Sequence, residues 1–237
     1  MLAILCSVTS CATLPPGSVR DPRDHAERFN RAMFEFNTAL DHSVMRPVAR
    51  AYVHAVPATV RTGISNFLGN LAYTSTIGND LFQAHPRDFA RDLARLAVDT
   101  TIGVGGLLDP ATGLGLVKHE RDFGQTLGKW GVSTGSYLVL PLLGPSDVRD
   151  AVGTVPDRFM TVEGYIHHDA PLSVGLFSLR ALDARAKALP SDSTVGGAFD
   201  PYGFVRSAWF QLRDYKVHEG DENYLPELPP LESGAGK

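Results

Sequence analysis

The residue arrangements in this chain that could do chemistry are few, and each can be weighed against what that chemistry needs around it. Gly131-Val132-Ser133-Thr134-Gly135 matches G-x-S-x-G, the turn in which lipases and esterases push a serine hydroxyl out of a strand-to-helix corner. The reaction there would be acyl transfer, and Asp169 and His218 follow in an order a catalytic triad can use. The motif needs a strand before it and a helix after it. Here Phe123, Leu127 and Trp130 are spaced as on a helix before the serine, and a proline-broken apolar run follows. The βα alternation of a hydrolase sheet is also absent. A lipase or esterase using Ser133 therefore stays only as an alternative.

Gly103-Val104-Gly105-Gly106 opens like a dinucleotide-binding fingerprint, but the third glycine is missing and a helical pattern precedes it, so a helix-ending turn is expected. His119-Glu120 has Phe123 where a second zinc-binding histidine would stand, and His167-His168-Asp169 is too contiguous to form a site alone. No catalytic residue, metal or cofactor is predicted.

The 237 residues carry 22 basic and 26 acidic side chains, a net charge of −4, without a basic block that could follow a phosphate backbone. Nucleic acid is excluded as an expected partner. With 43% hydrophobic residues the chain can build a core, yet no apolar run approaches the roughly 18 residues of a membrane-spanning helix. Both cysteines, Cys6 and Cys11, fall in the first eleven residues, so the rest of the chain offers neither a disulfide nor a thiolate site.

The start Met1 to Ser10 is apolar and rich in small residues, and Val8-Thr9-Ser10-Cys11 resembles the lipobox of bacterial lipoproteins. Residues 1–10 are then a signal peptide and Cys11 the lipid-attachment residue. Ala12, rather than Asp, after the cysteine points to sorting to the outer membrane. Residues 11–23, with Pro15, Pro16, Gly17 and Pro22, form a tether that spans about 35 Å when extended. Residues 24–217 are the folded body, and 218–237, rich in Glu, Pro and Gly, a disordered tail.

The elements that must position any site are helical. From Glu27 to Met45, Phe29, Met33, Phe36, Leu40 and Val44 recur at spacings of three and four. Phe34 and Met45 lie off that stripe, so this helix is either buried on both sides or meets lipid on one. Pro47, Pro57, Pro86 and Pro201 fit first-turn positions of later helices. Val60, Ile64, Phe67, Leu68 and Leu71 make one apolar face, and Phe89, Leu93, Leu96, Ala97 and Thr100 another. Leu172, Leu176, Leu179, Leu182 and Leu189 mark a long later helix, and Asp200 can cap a last one carrying Phe204, Val205, Ala208, Trp209 and Leu212. The expected class is all-α.

Ten of the 23 glycines fall between residues 103 and 144, next to the compact apolar run Tyr137-Leu138-Val139-Leu140-Pro141-Leu142-Leu143. That run is too short to span a membrane and is broken by Pro141. It reads either as a hairpin-like loop exposing apolar side chains or as a buried loop or short strand of the core. Gly131, Gly135 and Gly144 are candidate backbone hinges around it, because glycine adopts φ values closed to other residues.

Several collinear blocks resemble the MlaA (VacJ) family of outer-membrane lipoproteins. They begin at Phe29-Asn30-Arg31-Ala32-Met33-Phe34-Glu35-Phe36-Asn37 and continue through Arg46-Pro47-Val48-Ala49, Val60 to Phe67, Asn79-Asp80-Leu81-Phe82-Gln83 and Thr101 to Asp109. The most specific are Asp122-Phe123-Gly124-Gln125-Thr126-Leu127-Gly128, Tyr137 to Gly144 with Arg149-Asp150, and Asp200-Pro201-Tyr202. The resemblance covers roughly residues 21 to 216; the short uncharged signal peptide and the shortened Pro-rich tail depart from the family's pattern.

The resemblance implies a single ring-like bundle of amphipathic helices, anchored in the periplasmic leaflet of the outer membrane, with an amphipathic channel and a glycine-flanked apolar hairpin loop beside it. Its implied partners are phospholipids, trimeric porins and a soluble periplasmic lipid carrier, and its implied task is returning misplaced outer-leaflet phospholipid to that carrier. On this reading Phe29, Met33, Phe34 and Phe36 are candidates to face lipid, and Gly131, Gly135, Tyr137, Leu138, Leu140, Leu142 and Gly144 form the loop beside the channel. A lipoprotein that only scaffolds porins without moving lipid is the other alternative.

Overall fold

The structure is a computed structural model and describes residues 21–166 and 169–219. The expectations for Cys11, for residues 1–20, for His167 and His168 and for the tail from residue 220 lie outside the described residues.

α1 (Glu27–Leu40) does not stop where Pro47 was expected to begin a new helix. It passes through one π turn, Asp41–Met45, straight into α2 (Arg46–Ala55). Pro47 lacks an N–H and its ring would collide with the carbonyl four residues back. The wider turn, in which the Arg46 N–H reaches the Asp41 carbonyl, absorbs that misfit. The other prolines behave as expected: Pro57 stands at the N-cap of α3 (Ala58–Phe82), and Pro86 opens α4 (Pro86–Thr101).

Aspartates start four of the helices that follow. Asp109, Asp122, Asp147 and Asp169 each accept a backbone N–H of the first turn of α5 (Pro110–Gly113), α6 (Phe123–Lys129), α7 (Val148–Met160) and α9 (Ala170–Ala188). Between α6 and α7 lies an antiparallel pair, β1 (Tyr137–Leu140) and β2 (Gly144–Asp147), with Tyr137 opposite Asp147 and Leu140 opposite Gly144. Short α8 (Val162–Tyr165) precedes α9, and α10 (Asp192–Gly196) precedes α11 (Pro201–Val217). The chain is thus mostly helical, with one small hairpin among the described residues.

α3 is the spine, touching α4, α6, α7, α8 and α9. α2 lies along α9, α11 packs on α6 and β2, and α1 packs on β1. Arg31 of α1 closes the circuit with Asp200 before α11 at 2.6 and 2.9 Å. Asp200 therefore stands at the expected N-cap position, but its carboxylate turns to Arg31, and no side-chain cap bond forms.

α1 and α4 keep the expected period but largely the opposite polarity, and α7 shares it, while on α3 Leu68 of the expected apolar face is buried. On α4 the buried residues are Asp92, Arg95 and Asp99, one polar stripe, while Leu93 of the expected apolar face is 48% exposed. On α7, Arg149, Asp150 and Gly153 are buried and Val148, Val152, Val155 and Phe159 are exposed. On α1 the buried residues are Glu27, Asn30, Arg31 and Met33, whereas Phe29 and Phe36, and Val44 in the π turn after it, are about half exposed. Among the described residues more polar and charged side chains are buried than hydrophobic ones. The hydrophobic cluster is small, Met33, Tyr137, Val139, Tyr202 and Phe210, with Phe34 and Trp209 packed against it.

Candidate functional site

The hairpin is held from one side by two asparagines two helical turns apart on α1. Asn30 Nδ2 donates to the Tyr137 carbonyl at 2.9 Å and its Oδ1 accepts the Val139 N–H at 2.9 Å. Asn37 repeats the pattern, with Nδ2 to the Leu140 carbonyl at 3.0 Å and Oδ1 from the Leu142 N–H at 2.9 Å. Each side chain thus does for β1 what a neighbouring strand would do, satisfying an edge that two strands alone leave open. Tyr137 and Val139 point into the core and are buried, Leu138 and Leu140 are partly buried, and Leu142 and Leu143 at the tip are 64% and 63% exposed.

The three glycines singled out in the sequence all have positive φ, 87° at Gly131, 71° at Gly135 and 83° at Gly144. Leu142 shares that region at 67°, which is costly for a residue with a Cβ. Gly131 follows a cluster in which Phe82, Phe123 and Trp130 meet edge to face, with the Trp130 indole N–H donating to the Phe82 carbonyl at 3.1 Å. The segment before the hairpin is therefore pinned at the end of α3, and beyond Gly131 the Thr134 and Ser136 carbonyls accept the Arg149 and Val148 N–H groups of α7.

Beneath the hairpin lies a buried charge network. Arg213 binds Asp122 at 2.6 and 2.8 Å and Asp150 at 2.5 Å, while Arg149 binds Asp150 at 3.0 Å. Asp24 receives Tyr202 and Arg206, the latter at 2.8 Å. A second network under α4 joins Arg121 to Asp80 and Asp88, and Asp92 to Tyr73 at 2.8 Å and to the His119 ring at 3.0 Å. Burial pushes the carboxyls of Asp80 and Asp147 up to about 6. Burial would also raise Asp122, but its hydrogen bonds to Arg213 hold it below the usual carboxylate range.

No catalytic triad assembles. Ser133 is exposed in the loop between α6 and β1, so helix precedes it and strand follows, the reverse of a nucleophile elbow. Asp169 caps α9, and the His218 ring lies 2.8 Å from the Asp214 carbonyl. His119 is occupied by Asp92, and among the described residues no group of His, Cys, Asp or Glu could hold a metal ion. Gly105 and Gly106, with φ of 71° and 88°, end α4 as a turn.

The exterior is where the candidate lipid-facing residues divide. Phe29 and Phe36 are exposed, but Met33 is buried and Phe34 packs edge to face on Tyr202 at 5.7 Å, so these two belong to the core face of α1. Apolar exposure extends well beyond α1. An almost purely apolar hollow of about 600 Å³ is lined by Leu138, Val148, Ala151, Val152, Val155 and Pro156. Sequence reasoning passed over α7 and the Asn30–Asn37 pair. Their signals were a valine stripe at spacings of four and three, and two asparagines seven residues apart on a helix. Among the described residues no helix is long and apolar enough to cross a membrane.

Comparison with known proteins agrees with this arrangement along the whole body. The family model of the MlaA lipoproteins matches residues 22–216. The intermembrane phospholipid transport system lipoprotein MlaA of Escherichia coli K12 is 37% identical over 215 residues, 89% of this chain and 82% of the relative. The protein of that name from Haemophilus influenzae is 30% identical over 218 residues, 90% of this chain and 87% of the relative. A solved structure described as "Structural basis for maintenance of bacterial outer membrane lipid asymmetry" superposes with a TM-score of 0.75 at 35% identity, over 84% of this chain and 100% of that one. With the matched span reaching from before α1 to near the end of α11, this chain is a member of the MlaA lipoprotein family.

Proposed function

We propose that this protein moves phospholipid between the outer membrane and the periplasm and so helps to keep the outer membrane's lipid asymmetry, without covalent chemistry. The observation that carries this reading is the inverted amphipathicity: paired charges inside, and exposed apolar stripes on α1 and α7 and at the Leu142–Leu143 tip. An apolar exterior costs free energy in water and little in hydrocarbon, so the surface suits a body set in a leaflet. The relatives named as phospholipid transport lipoproteins support the same reading.

A diacyl lipid crossing water exposes about 30 methylenes at about 0.8 kcal/mol each, on the order of 20 kcal/mol. A path that offers polar partners to the headgroup and apolar side chains to the tails removes most of that barrier. Cys11 would anchor the protein to the periplasmic leaflet, trimeric porins would hold it beside the outer leaflet, and a soluble periplasmic carrier would receive the lipid. Gly131, Gly135 and Gly144 would serve as hinges. Because Asn30 holds β1 and Asn37 holds the Leu140 carbonyl and the Leu142 N–H, hinge movement would have to break these bonds or carry α1 with it.

The test is lipid extraction and mass spectrometry of the purified full chain, together with outer-leaflet phospholipid measured by accessibility to added phospholipase in cells. Lipid should co-purify, and deleting the gene should raise outer-leaflet phospholipid. Ser133→Ala should restore asymmetry as well as the wild type does. Gly131→Ala and Gly144→Ala, where an added Cβ meets no atom within 4 Å but takes on a positive φ, should cost about 1–2 kcal/mol each, leave the protein folded and restore asymmetry poorly. A lipid-free protein whose loss leaves asymmetry intact would favour a porin scaffold, and loss of function in Ser133→Ala would revive the esterase.

A further inference from the structure

Along α3, Thr62, Ser65, Asn66, Gly69, Asn70 and Tyr73 recur at spacings of three and four and so share one helical face about 16 Å long. Two cavities lie on this face and share Asn66. The first, about 260 Å³, sits where α2, α3 and α9 meet and is lined by Tyr52, Arg61, Thr62, Ser65, Asn66, Asp183 and Lys187 among others. The second is smaller, about 60 Å³, and contains Arg95 and Lys118 with Asp99 and Asp109.

The charges separate the two. In the smaller cavity two basic side chains face two acidic ones, and Arg95 is already bound to Asp109 at 2.6 Å and Asp99 at 3.6 Å. In the larger one Lys187 pairs with Asp183 at 2.9 Å and also meets Ser65. Arg61 is left with only its Nε committed, donating to the Val56 carbonyl at 3.1 Å, and pairs with no carboxylate among the described residues. The cavity therefore carries one net positive charge. Its wall also holds the Tyr52 hydroxyl, which is buried without a hydrogen-bond partner, a state that costs about 1–3 kcal/mol unless something meets it. Burial raises the Tyr52 pKa and keeps the hydroxyl a neutral donor.

An unpaired guanidinium, the Lys187 ammonium shared with Asp183 and Ser65, an orphaned phenol and the hydroxyl of Thr62 line one space. A phosphodiester monoanion has the charge to match and the acceptor oxygens to fill it. We infer that the cavity between α2, α3 and α9 is the seat of the phosphate of a glycerophospholipid headgroup, bound by Arg61, Lys187 and Tyr52. The inference rests on the transport reading, and it names the place at which the headgroup is held while the tails lie against apolar surface. Inorganic phosphate offers the same oxygens, so the test must separate the two sources.

Full-length protein in detergent is titrated with fluorescent phosphatidylglycerol, and separately its unfolding temperature is followed with inorganic phosphate. The double variant Arg61→Gln/Lys187→Gln should bind the lipid at least about tenfold more weakly, since each lost charge-assisted bond is worth roughly a factor of ten or more. Tyr52→Phe should lose several-fold, and it removes a single oxygen, so it carries the test if the double variant folds poorly. Arg91→Gln on the exposed side of α4 controls for net charge and should bind as the wild type does. Wild-type lipid affinity in both cavity variants overturns the site and leaves the transport reading standing. A wild type that binds no phospholipid removes the transport reading itself. Stabilisation by inorganic phosphate that disappears in the variants, with lipid binding unchanged, makes this a free-phosphate site and overturns the headgroup assignment.

Discussion

Asp147 shows how much a single side chain can be asked to do at once. It is fully buried, caps α7 through the Asp150 N–H at 2.8 Å and stands opposite Tyr137 at the base of the hairpin. Burial raises its pKa to about 6, as it does for Asp80. A carboxyl whose folded pKa lies above its unfolded one binds its proton more tightly when folded, so stability falls as pH rises from about 4 through 6. Asp200, held low first by its hydrogen bonds to Arg31, acts in the opposite sense and loses its contribution as pH falls below about 4. Asparagine caps a helix as well as aspartate does and carries no charge. Asp147→Asn should therefore match the wild type near pH 4 and exceed it by about 2 kcal/mol at pH 7, read from urea unfolding across that range. An unchanged slope between pH 4 and 6 would mean that Asp147 is ionised in the folded protein throughout. Nothing in the sequence marks Asp147 as different from Asp109, which caps α5 while partly exposed and is held low by its neighbours. Burial made the difference.

Helix existence was legible because period is a local property; the side that faces inward was not. The spacing of Leu93, Leu96 and Ala97 identifies α4 correctly, but the residues it buries are Asp92, Arg95 and Asp99. A stripe says which side chains share a face. Which face is buried depends on what lies outside the molecule, and that is not written in any one helix. Helix contacts show the same limit: α6 and α7 meet where a Cβ on Gly153 would come within 2.6 Å of the Gly124 nitrogen. Gly124 belongs to a motif noticed in the sequence, whereas Gly153 has no local signature. Gly153→Ala must push two helix backbones apart and should cost about 2–3 kcal/mol, seen as a lowered unfolding temperature. Gly175→Ala, with nothing within 4 Å, should be neutral or slightly stabilising. Equal effects at the two sites would show that α6 and α7 can separate freely.

The circuit of helices closes through few groups, and Arg31 is the one whose loss should be felt furthest away. Its side chain is 7% exposed and joins Glu27 and Asp200, so that α1 and α11 meet although 169 residues separate the paired side chains. Arg31→Met leaves Asp200 without its cation and Glu27 with only Arg206 at 3.7 Å, and should destabilise the fold by about 3 kcal/mol. The loss should appear as faster amide exchange in α11 while α3 and α4 keep their protection. Uniform protection loss would mean that the circuit opens only by global unfolding.

From residue types and spacing alone came the helical class and the proline starts of α3, α4 and α11, because each of these is decided within a few residues. The resemblance of collinear blocks added the family. Tertiary structure decided the rest: that Ser133 sits between helix and strand with no partner assembled, that Asn30 and Asn37 stand in for a strand, that Met33 and Phe34 belong to the core, and that charges lie inside while Phe29, Phe36 and the valines of α7 lie outside. The physical reason is common to all of them. Pairing a buried charge or satisfying a strand edge takes a partner distant in the chain, and no local pattern states where that partner will be.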